Sequence, residues 1–449
     1  MKQEKSILDF LQFSRPTEEQ NKALLRIETF IDKENSEDFF ILAGAAGTGK
    51  TSITTALIGL LNEQGTNYKI AAPTGRAARI LGRKAKTLNS TIHSLIYLAN
   101  PDPRTGEIIL KRKRNEVRDY TIFIIDEASM IASVAAREEN ALFIAERSLL
   151  TDLIAYVNAG NSKNKIVFLG DRNQLPPVHE THSRALSETY LRSKFNLSGS
   201  VSVLHEVKRQ QDGTEILRNA TLLSKEIEAG GSQFVLKGFD KTYLNSAMGI
   251  YVDSFKREGF ENTIAIGATH NMNNMFNKGV RKRIYGENPN IIENEDLLII
   301  TRSWKRNGHA LFSGDHVVVQ QVFPSRVEEV ANMRFMPVLL KSKKLNGDDE
   351  LIEDYILLES VLQPKGLTSK QENRLRHERY AKNKVYRESG NHADDRYVGA
   401  IRATYGHSIT CNKAQGGEWN KVLLNTYFMP SLRFTYTAIT RAKTKLILF

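Results

Sequence analysis

Four apolar runs recur through the first part of the chain, Phe39–Ala43, Tyr68–Ala72, Thr121–Ile125 and Lys165–Leu169, and each ends where a polar or glycine-rich stretch begins. Short apolar runs bounded in this way have the length of strands buried on both faces. Helical patterns lie between them. In one, Leu24, Leu25, Ile27 and Phe30 follow Thr17-Glu18-Glu19-Gln20, which has the form of a capping box opening a helix. Strand and helix in alternation predict a parallel α/β sheet, whose ligands sit at the carboxyl ends of its strands. The rhythm returns at Thr263–Ala268 and Lys421–Thr426, which predicts a second α/β core. Between the two, short β-rich pieces (Asp315–Val322, Val338–Lys341, Tyr355–Leu358) precede a charged helical segment, Ser369–Arg387. A smaller interruption sets the turn signal Pro101-Asp102-Pro103-Arg104-Thr105-Gly106 between Ile96-Tyr97-Leu98 and Ile108-Ile109-Leu110, a β-hairpin inserted in the first core. The expected division is residues 1–200 as a first domain with the hairpin at about 94–120, residues 201–292 with 400–449 as a second, and 293–399 as an insertion.

Composition agrees with more than one core, since 449 residues at 41% hydrophobic exceed what a single core of usual size holds. Sixty-three Lys and Arg against 51 Asp and Glu leave a net charge of +12, which favours a polyanionic partner, nucleic acid first. The single cysteine, Cys411, excludes an intramolecular disulfide framework and a cysteine-rich zinc site. No apolar run approaches the length of a membrane span, and Met1-Lys2-Gln3-Glu4-Lys5 leads into no signal-like segment, so a cytoplasmic protein without membrane contact is expected. Two basic stretches read two ways. The arm Lys111-Arg112-Lys113-Arg114 after the hairpin is either a solvated charge run or a patch for a phosphate backbone. The same choice holds for Lys370, Arg374, Arg376, Arg379, Lys382, Lys384 and Arg387 of the charged segment.

Chemistry concentrates where strands end. Gly44-Ala45-Ala46-Gly47-Thr48-Gly49-Lys50-Thr51 follows the first apolar run and opens a helix, the context a phosphate-binding P-loop requires. Its glycines let backbone N–H groups curl around phosphate oxygens, Lys50 can reach the β- and γ-phosphates, and the Thr51 hydroxyl can hold Mg²⁺. The reading is a nucleoside triphosphatase that uses Mg²⁺. Ile122-Phe123-Ile124-Ile125 delivers the adjacent carboxylates Asp126 and Glu127, one suited to the metal and the other to polarising the attacking water. Val167-Phe168-Leu169-Gly170 leads to Asp171-Arg172-Asn173-Gln174, where the Gln174 amide can both donate and accept, as sensing a γ-phosphate or the attacking water demands.

On these motifs the chain resembles the superfamily 1 DNA helicases, in particular the 5′-to-3′ branch that includes the phage Dda and bacterial RecD-like enzymes. The P-loop corresponds to motif I, Ala72-Pro73-Thr74-Gly75-Arg76-Ala77-Ala78 to Ia, Ser90-Thr91-Ile92-His93 to Ib, Asp126-Glu127 to II and Gly170–Gln174 to III. Leu204-His205-Glu206-Val207-Lys208-Arg209-Gln210 is similar to the segment that brings an arginine to the γ-phosphate, Thr410-Cys411-Asn412-Lys413-Ala414-Gln415-Gly416 to motif V, and Tyr436-Thr437-Ala438-Ile439-Thr440-Arg441-Ala442 to motif VI. The resemblance implies two RecA-like P-loop motor domains, a pin hairpin in the first, and an SH3-like barrel with a helical segment in the second, the barrel beginning at Ser313-Gly314-Asp315-His316-Val317 unless that is a plain turn before a strand.

It further implies that Lys50, Glu127, Gln174, Arg209 and Arg441 are catalytic, the two arginines acting as fingers across an interdomain cleft. Their plainer readings are a loop arginine for Arg209 and a surface arginine for Arg441. Gln20 corresponds to an adenine-reading residue, yet also fits the cap of its helix. Pro73, Thr74, Thr91, His93, Asn271, Ser408 and Thr410 stand where the family touches the backbone of single-stranded DNA, and small polar groups suit contacts that carry no sequence information. Each hydroxyl or amide could instead cap a helix or end a strand, and His93 could be a core histidine. The implied activity is an ATP-dependent motor, monomeric, bacterial or phage-encoded and cytoplasmic, moving 5′-to-3′ on single strands and opening tailed duplex DNA, with replication, recombination or repair proteins as partners. An RNA motor and a nucleotide-switched single-strand binding module are the alternatives. Two departures stand out. Asn412 occupies a place where motif V usually carries histidine, and the hairpin turn has no aromatic tip, which leaves either weaker strand separation or reliance on Tyr97 and the basic arm.

Overall fold

The structure, a computed structural model, describes residues 5–12, 15–78, 82, 90–101, 108–135, 143–144, 146–206, 214–343, 348–363 and 365–449. The chain forms two compact units, Met1–Leu98 with Lys111–Ala136 and Ala145–Leu217, and Ala99–Leu110 with Arg137–Ile144 and Arg218–Phe449.

The first unit is built on strands β1 (Phe39–Gly44), β2 (Asn67–Ala72), β3 (Ser90–Thr91), β4 (Thr121–Ile125), β5 (Lys165–Gly170) and β6 (Gly199–Leu204), in the spatial order β3-β2-β4-β5-β1-β6. Every pair is parallel. β1, β4 and β5 are buried along their whole length, which is why they read as unbroken apolar runs. Helices α1 (Glu18–Phe30) and α2 (Lys50–Glu63) cover the sheet, with Ile27, Phe30, Leu57 and Leu61 packed against Phe40, Leu42, Ile122 and Val167. The expected hairpin exists as Tyr97–Pro101 and Ile108–Arg112, joined in a three-stranded sheet by Phe143–Ile144, a strand the pattern did not predict. Its turn, Asp102 to Gly106, lies outside the described residues.

Tyr97 is not available for strand separation. It is buried and its hydroxyl donates to Asp152 Oδ2 at 2.7 Å, while burial pushes its pKa up. The basic arm is half committed as well: Arg112 lies 3.8 Å from Asp152 and Lys113 Nζ donates to the Ser94 carbonyl, so only Lys111 and Arg114 are exposed.

The second unit carries, in chain order, β7 (Thr263–Gly267), β8 (Leu297–Ile300), β9 (His316–Val322), β10 (Met333–Lys343), β11 (Asp349–Leu357), β12 (Ala403–Tyr405), β13 (Ser408–Thr410), β14 (Trp419–Leu424) and β15 (Ala442–Leu448). β15-β14-β7-β13 form a parallel sheet edged by Asp240–Lys241. β10, β9, β8 and β12 make an antiparallel half-barrel, with β11 pairing β10 over nine residues. Here burial alternates along the strands, as in a sheet with one wet face. The Gly314-Asp315 turn does open the barrel strand: Gly314 takes φ +93° and Asp315 Oδ2 accepts from Phe312 N. A buried fork ties helix α3 (His270–Tyr285) to the base of the half-barrel, with Arg281 donating to both oxygens of Asp296 at 2.8 Å.

The charged segment breaks at Asn383 into α4 (Ser369–Lys382) and α5 (Lys384–Ser389). Neither sequence reading of it holds throughout. Lys370, Arg374, Lys382, Lys384 and Arg387 are exposed, but Arg379 donates to Asp395 and Arg376 is buried with Glu372, Arg302 and Arg402. Burial alone would raise the Glu372 carboxyl, yet Arg402 and Arg302 hold it down to about 2. A depressed glutamate contributes stability that is complete above its unfolded value near 4.5 and disappears as pH falls toward 2. Glu372→Gln is therefore expected to be less stable than the parent by on the order of 3 kcal/mol at pH 7. The gap closes between pH 4.5 and 2 in denaturant titrations; a gap independent of pH would contradict this account.

Candidate nucleotide site and strand-facing edges

In-register pairing sets the ends of β1, β4 and β5 on one edge: Ala43 pairs Gly170 and Ile125 pairs Phe168. The P-loop, the two carboxylates and the Gln174 loop therefore leave the sheet side by side. Gly47 and Gly49 take φ of +85° and +92°, and a Cβ on Gly49 would also lie 2.6 Å from Gln20 Nε2. Side chains other than hydrogen would break the cradle. Lys50 Nζ donates to the carbonyls of Gly44 and Ala45 at 2.6 and 2.9 Å, holding the ammonium inside the loop curve. Thr48 Oγ1 donates to Ala45 O, while Ala46 and Thr51 are half-buried, Thr51 in the first turn of α2.

Gln20 resolves its two readings in an unexpected way. Its Oε1 accepts from Thr17 N and its backbone N–H donates to Thr17 Oγ1, so the capping box is complete. Its Nε2 donates to Thr48 O at 2.9 Å, buckling the helix cap to the P-loop. Each end of the amide makes one of these bonds, while Nε2 has a second N–H and Oε1 a second lone pair.

Asp126 Oδ1 accepts from Glu127 N at 2.9 Å, and Glu127 adopts φ +49°, a left-handed conformation uncommon outside glycine and concentrated at functional sites. Asp126 and Thr51 supply hard oxygen donors of the kind Mg²⁺ prefers. Gln174 is buried, and its Oε1 has no hydrogen-bond partner among the described residues. An orphaned acceptor at this edge fits a bound water or hydroxyl donor. Gly170 lets this loop approach: a Cβ there would stand 3.2 Å from Ser129 N and 2.8 Å from Leu186 Cδ1. Ser129, whose buried hydroxyl likewise lacks a partner among the described residues, was missed; its place two residues past Glu127 was the only signal.

The other candidates divide between two strand edges. In the first unit, Pro73 and Thr74 follow β2, Thr91 ends β3 and pairs Ala72, and His93 follows it. Thr74 and Thr91 both cap: they accept from Ala77 N and Ser94 N. His93 has an exposed surface, yet desolvation lowers its pKa, and its ring sits 5.8 Å from that of Tyr97. In the second unit Gly267 pairs Thr410, so Asn271, exposed in the first turn of α3, and Thr410 leave adjacent strand ends. Ser408 does not face outward. It is buried, donating Oγ to Asn273 Oδ1 at 2.6 Å and its N–H to Asn277 Oδ1, because β13 lies against α3. These bonds hold the strand that carries both Ser408 and Thr410 against α3. Asn273 and Asn277 were missed, although amides four apart beside Phe276 and Val280 mark a buried helix face. Asn412, at the departure from the family pattern, is exposed.

Arg441 is no surface arginine. It is buried, with Nε donating to Thr437 O, Nη1 to Gly417 O and Nη2 to Thr440 Oγ1. Arg209 lies outside the described residues; upstream, His205 N and Nδ1 engage Glu19 at the start of α1.

Comparison with known proteins agrees with this layout. Residues 17–237 match a family model described as an AAA domain, and residues 405–449 match one described as a UvrD-like helicase C-terminal domain. The chain is 30% identical over 148 residues to the ATP-dependent RecD2 DNA helicase of Deinococcus radiodurans, covering 33% of this chain and 17% of that protein. It is 26% identical over 268 residues to the ATP-dependent DNA helicase dda of Enterobacteria phage T4, covering 57% and 55%. The chain thus spans about half or less of these curated relatives. The crystal structure of Pif1 helicase from Candida albicans superposes with a TM-score of 0.53 at 15% identity, over 97% of this chain and 94% of that one, which supports the fold.

Proposed function

Because this chain belongs to the superfamily 1 helicases, in the branch of the RecD, Dda and Pif1 enzymes, we propose that it is an ATP-dependent DNA helicase that moves 5′-to-3′ on single strands. The observation that carries the proposal is the convergence of the P-loop, Asp126-Glu127 and the orphaned Gln174 oxygen on one sheet edge.

ATP brings the phosphoanhydride bond that breaks, and Mg²⁺, which Thr51 and Asp126 would hold, would neutralise part of the charge on its phosphates; the P-loop amides and Lys50 bind those phosphates. Glu127 accepts the proton of the attacking water, which Gln174 orients. Arg209 and Arg441 stabilise the charge that develops on the transferred phosphoryl group. Gln20 reads adenine or, as its bonds favour, braces the loop. Pro73, Thr74, Thr91, His93, Asn271, Ser408 and Thr410 meet the backbone of the single strand, Ser408 by way of the strand end that it shares with Thr410. We assign residues 1–200 and 201–292 with 400–449 to the two motor domains and 293–399 to the insertion, in a cytoplasmic monomer that serves replication, recombination or repair.

A duplex with a 5′ single-stranded tail is expected to be unwound while one with only a 3′ tail is not. Thr91→Ala with His93→Ala should impair unwinding far more than basal ATP turnover, because these groups meet the track and not the nucleotide. Efficient unwinding from a 3′ tail alone would overturn the polarity. Tracking on RNA, or nucleotide-gated binding without strand separation, would replace the function with its alternatives.

A further inference from the structure

A tie within the first unit joins the nucleotide edge to a part of the chain far along the sequence. β6 is the edge strand beside β1, and the two pair in parallel until Gly44 meets Leu204. There they part. β1 becomes the P-loop, and β6 runs out before His205 and Glu206, whose N–H groups have no ladder left to join. The two chains are close at that point, since a Cβ on Gly44 would stand 2.9 Å from the Leu204 carbonyl oxygen.

Glu19 takes up both N–H groups. Its Oε2 accepts from His205 N at 2.7 Å and from Glu206 N at 3.2 Å, and its Oε1 accepts from His205 Nδ1 at 3.0 Å, 186 residues along the chain. Burial raises the Glu19 carboxyl, but the backbone N–H groups of His205 and Glu206 hold it below its ordinary value, so a carboxylate makes the clamp. An acid in the first turn of a helix commonly does no more than complement the helix dipole. Glu18 is placed for that alone, exposed and paired with Lys22 of its own helix. Glu19 differs in that both of its oxygens are engaged by another element. The next residue, Gln20, donates to Thr48 O inside the P-loop. Adjacent residues in the first turn of α1 thus hold the exit of β6 and the P-loop.

The segment that leaves β6 carries Arg209, three residues past Glu206. Three residues span at most about 11 Å, so fixing Glu206 confines the Arg209 Cα to within that distance of an anchored point at the P-loop edge, whatever course the chain takes. We propose that Glu19 is a positioning residue for ATP hydrolysis, which by clamping the His205 and Glu206 N–H groups sets where Arg209 meets the developing charge. The proposal rests on Arg209 acting on the transition state. A clamp of this kind governs orientation, and a misplaced group costs rate and not ground-state binding.

Turnover and nucleotide affinity of the full chain, measured for Glu19→Ala, Glu19→Gln, Arg209→Ala and the double variant Glu19→Ala with Arg209→Ala, test it. Glu19→Ala is expected to lower kcat about tenfold or more, with nucleotide affinity within about twofold of the parent. Glu19→Gln keeps an oxygen for the two N–H groups and should recover most of that loss; a helix-dipole role needs the charge, so a glutamine variant as slow as the alanine one overturns the clamp. In the Arg209→Ala background Glu19→Ala should cost nothing further, because a residue that acts through another has no effect once the other is gone. Arg209→Ala at the parental rate ends the assignment of that arginine and this proposal with it. With Arg209→Ala impaired, the clamp alone is overturned if Glu19→Ala turns over at the parental rate, loses affinity in proportion to rate, or adds its full loss to that of Arg209→Ala.

Discussion

Lys50→Ala is expected to lower DNA-stimulated ATP turnover by about a thousandfold or more, since it deletes the cation that compensates charge on the β- and γ-phosphates. The lysine is well placed for that role. Its ammonium is curled over the Gly44 and Ala45 carbonyls inside a loop whose Gly47 and Gly49 conformations no other residue tolerates easily. Glu127→Gln should stop turnover by a different route. It preserves the volume and the left-handed turn but removes the base, so binding of ATP and DNA persists while hydrolysis does not. Measuring nucleotide affinity and turnover side by side separates the two. Normal DNA-stimulated hydrolysis in either variant sinks the assignment of this edge as the nucleotide site.

Arg441→Ala is expected to reduce kcat on the order of a thousandfold while changing nucleotide affinity much less, as befits a group that acts on the transition state. Arg441→Lys should rescue little. Three acceptors, Thr437 O, Gly417 O and Thr440 Oγ1, hold the planar fork in its orientation, and a flexible ammonium cannot satisfy all three. Because those bonds also stabilise the end of its helix, thermal melting of both variants serves as the control for folding, and single-strand affinity without nucleotide should match the parent in both. Turnover at the parental rate in Arg441→Lys would assign the residue a structural role alone.

The strands that carry the nucleotide site were legible almost to the residue: Thr121–Ile125 is the strand, and Phe39–Ala43 and Lys165–Leu169 each end one residue early. Burial on both faces writes an unbroken apolar run, which a local reading detects. The half-barrel was less legible. Val338–Lys341 was read where the strand runs Met333–Lys343, because Pro337 and the alternation of a half-wet sheet break the run. Nine pairings with Asp349–Leu357 hold that strand together despite the proline. Tyr97, Ser408 and Arg376 are buried by contacts that a local reading does not record: Tyr97 bonds Asp152, Ser408 bonds Asn273, and Arg376, with Glu372 of its own helix, is enclosed with Arg302 and Arg402.

The sequence by itself determined the P-loop, the paired carboxylates, the Gln174 loop and the order of the strands that present them, because each is a contiguous stretch whose spacing is its chemistry. Tertiary structure alone decided which polar groups remain free to act. It turned the Gln20 Nε2 to Thr48, tied Arg441 Nη1 to the Gly417 carbonyl, buried Ser408 against Asn273 and left Gln174 Oε1 with no hydrogen-bond partner among the described residues. The reason is physical: a buried donor or acceptor must be satisfied where it lies, and its partner is whichever group the fold brings within 3 Å, at a separation along the chain that no local pattern records.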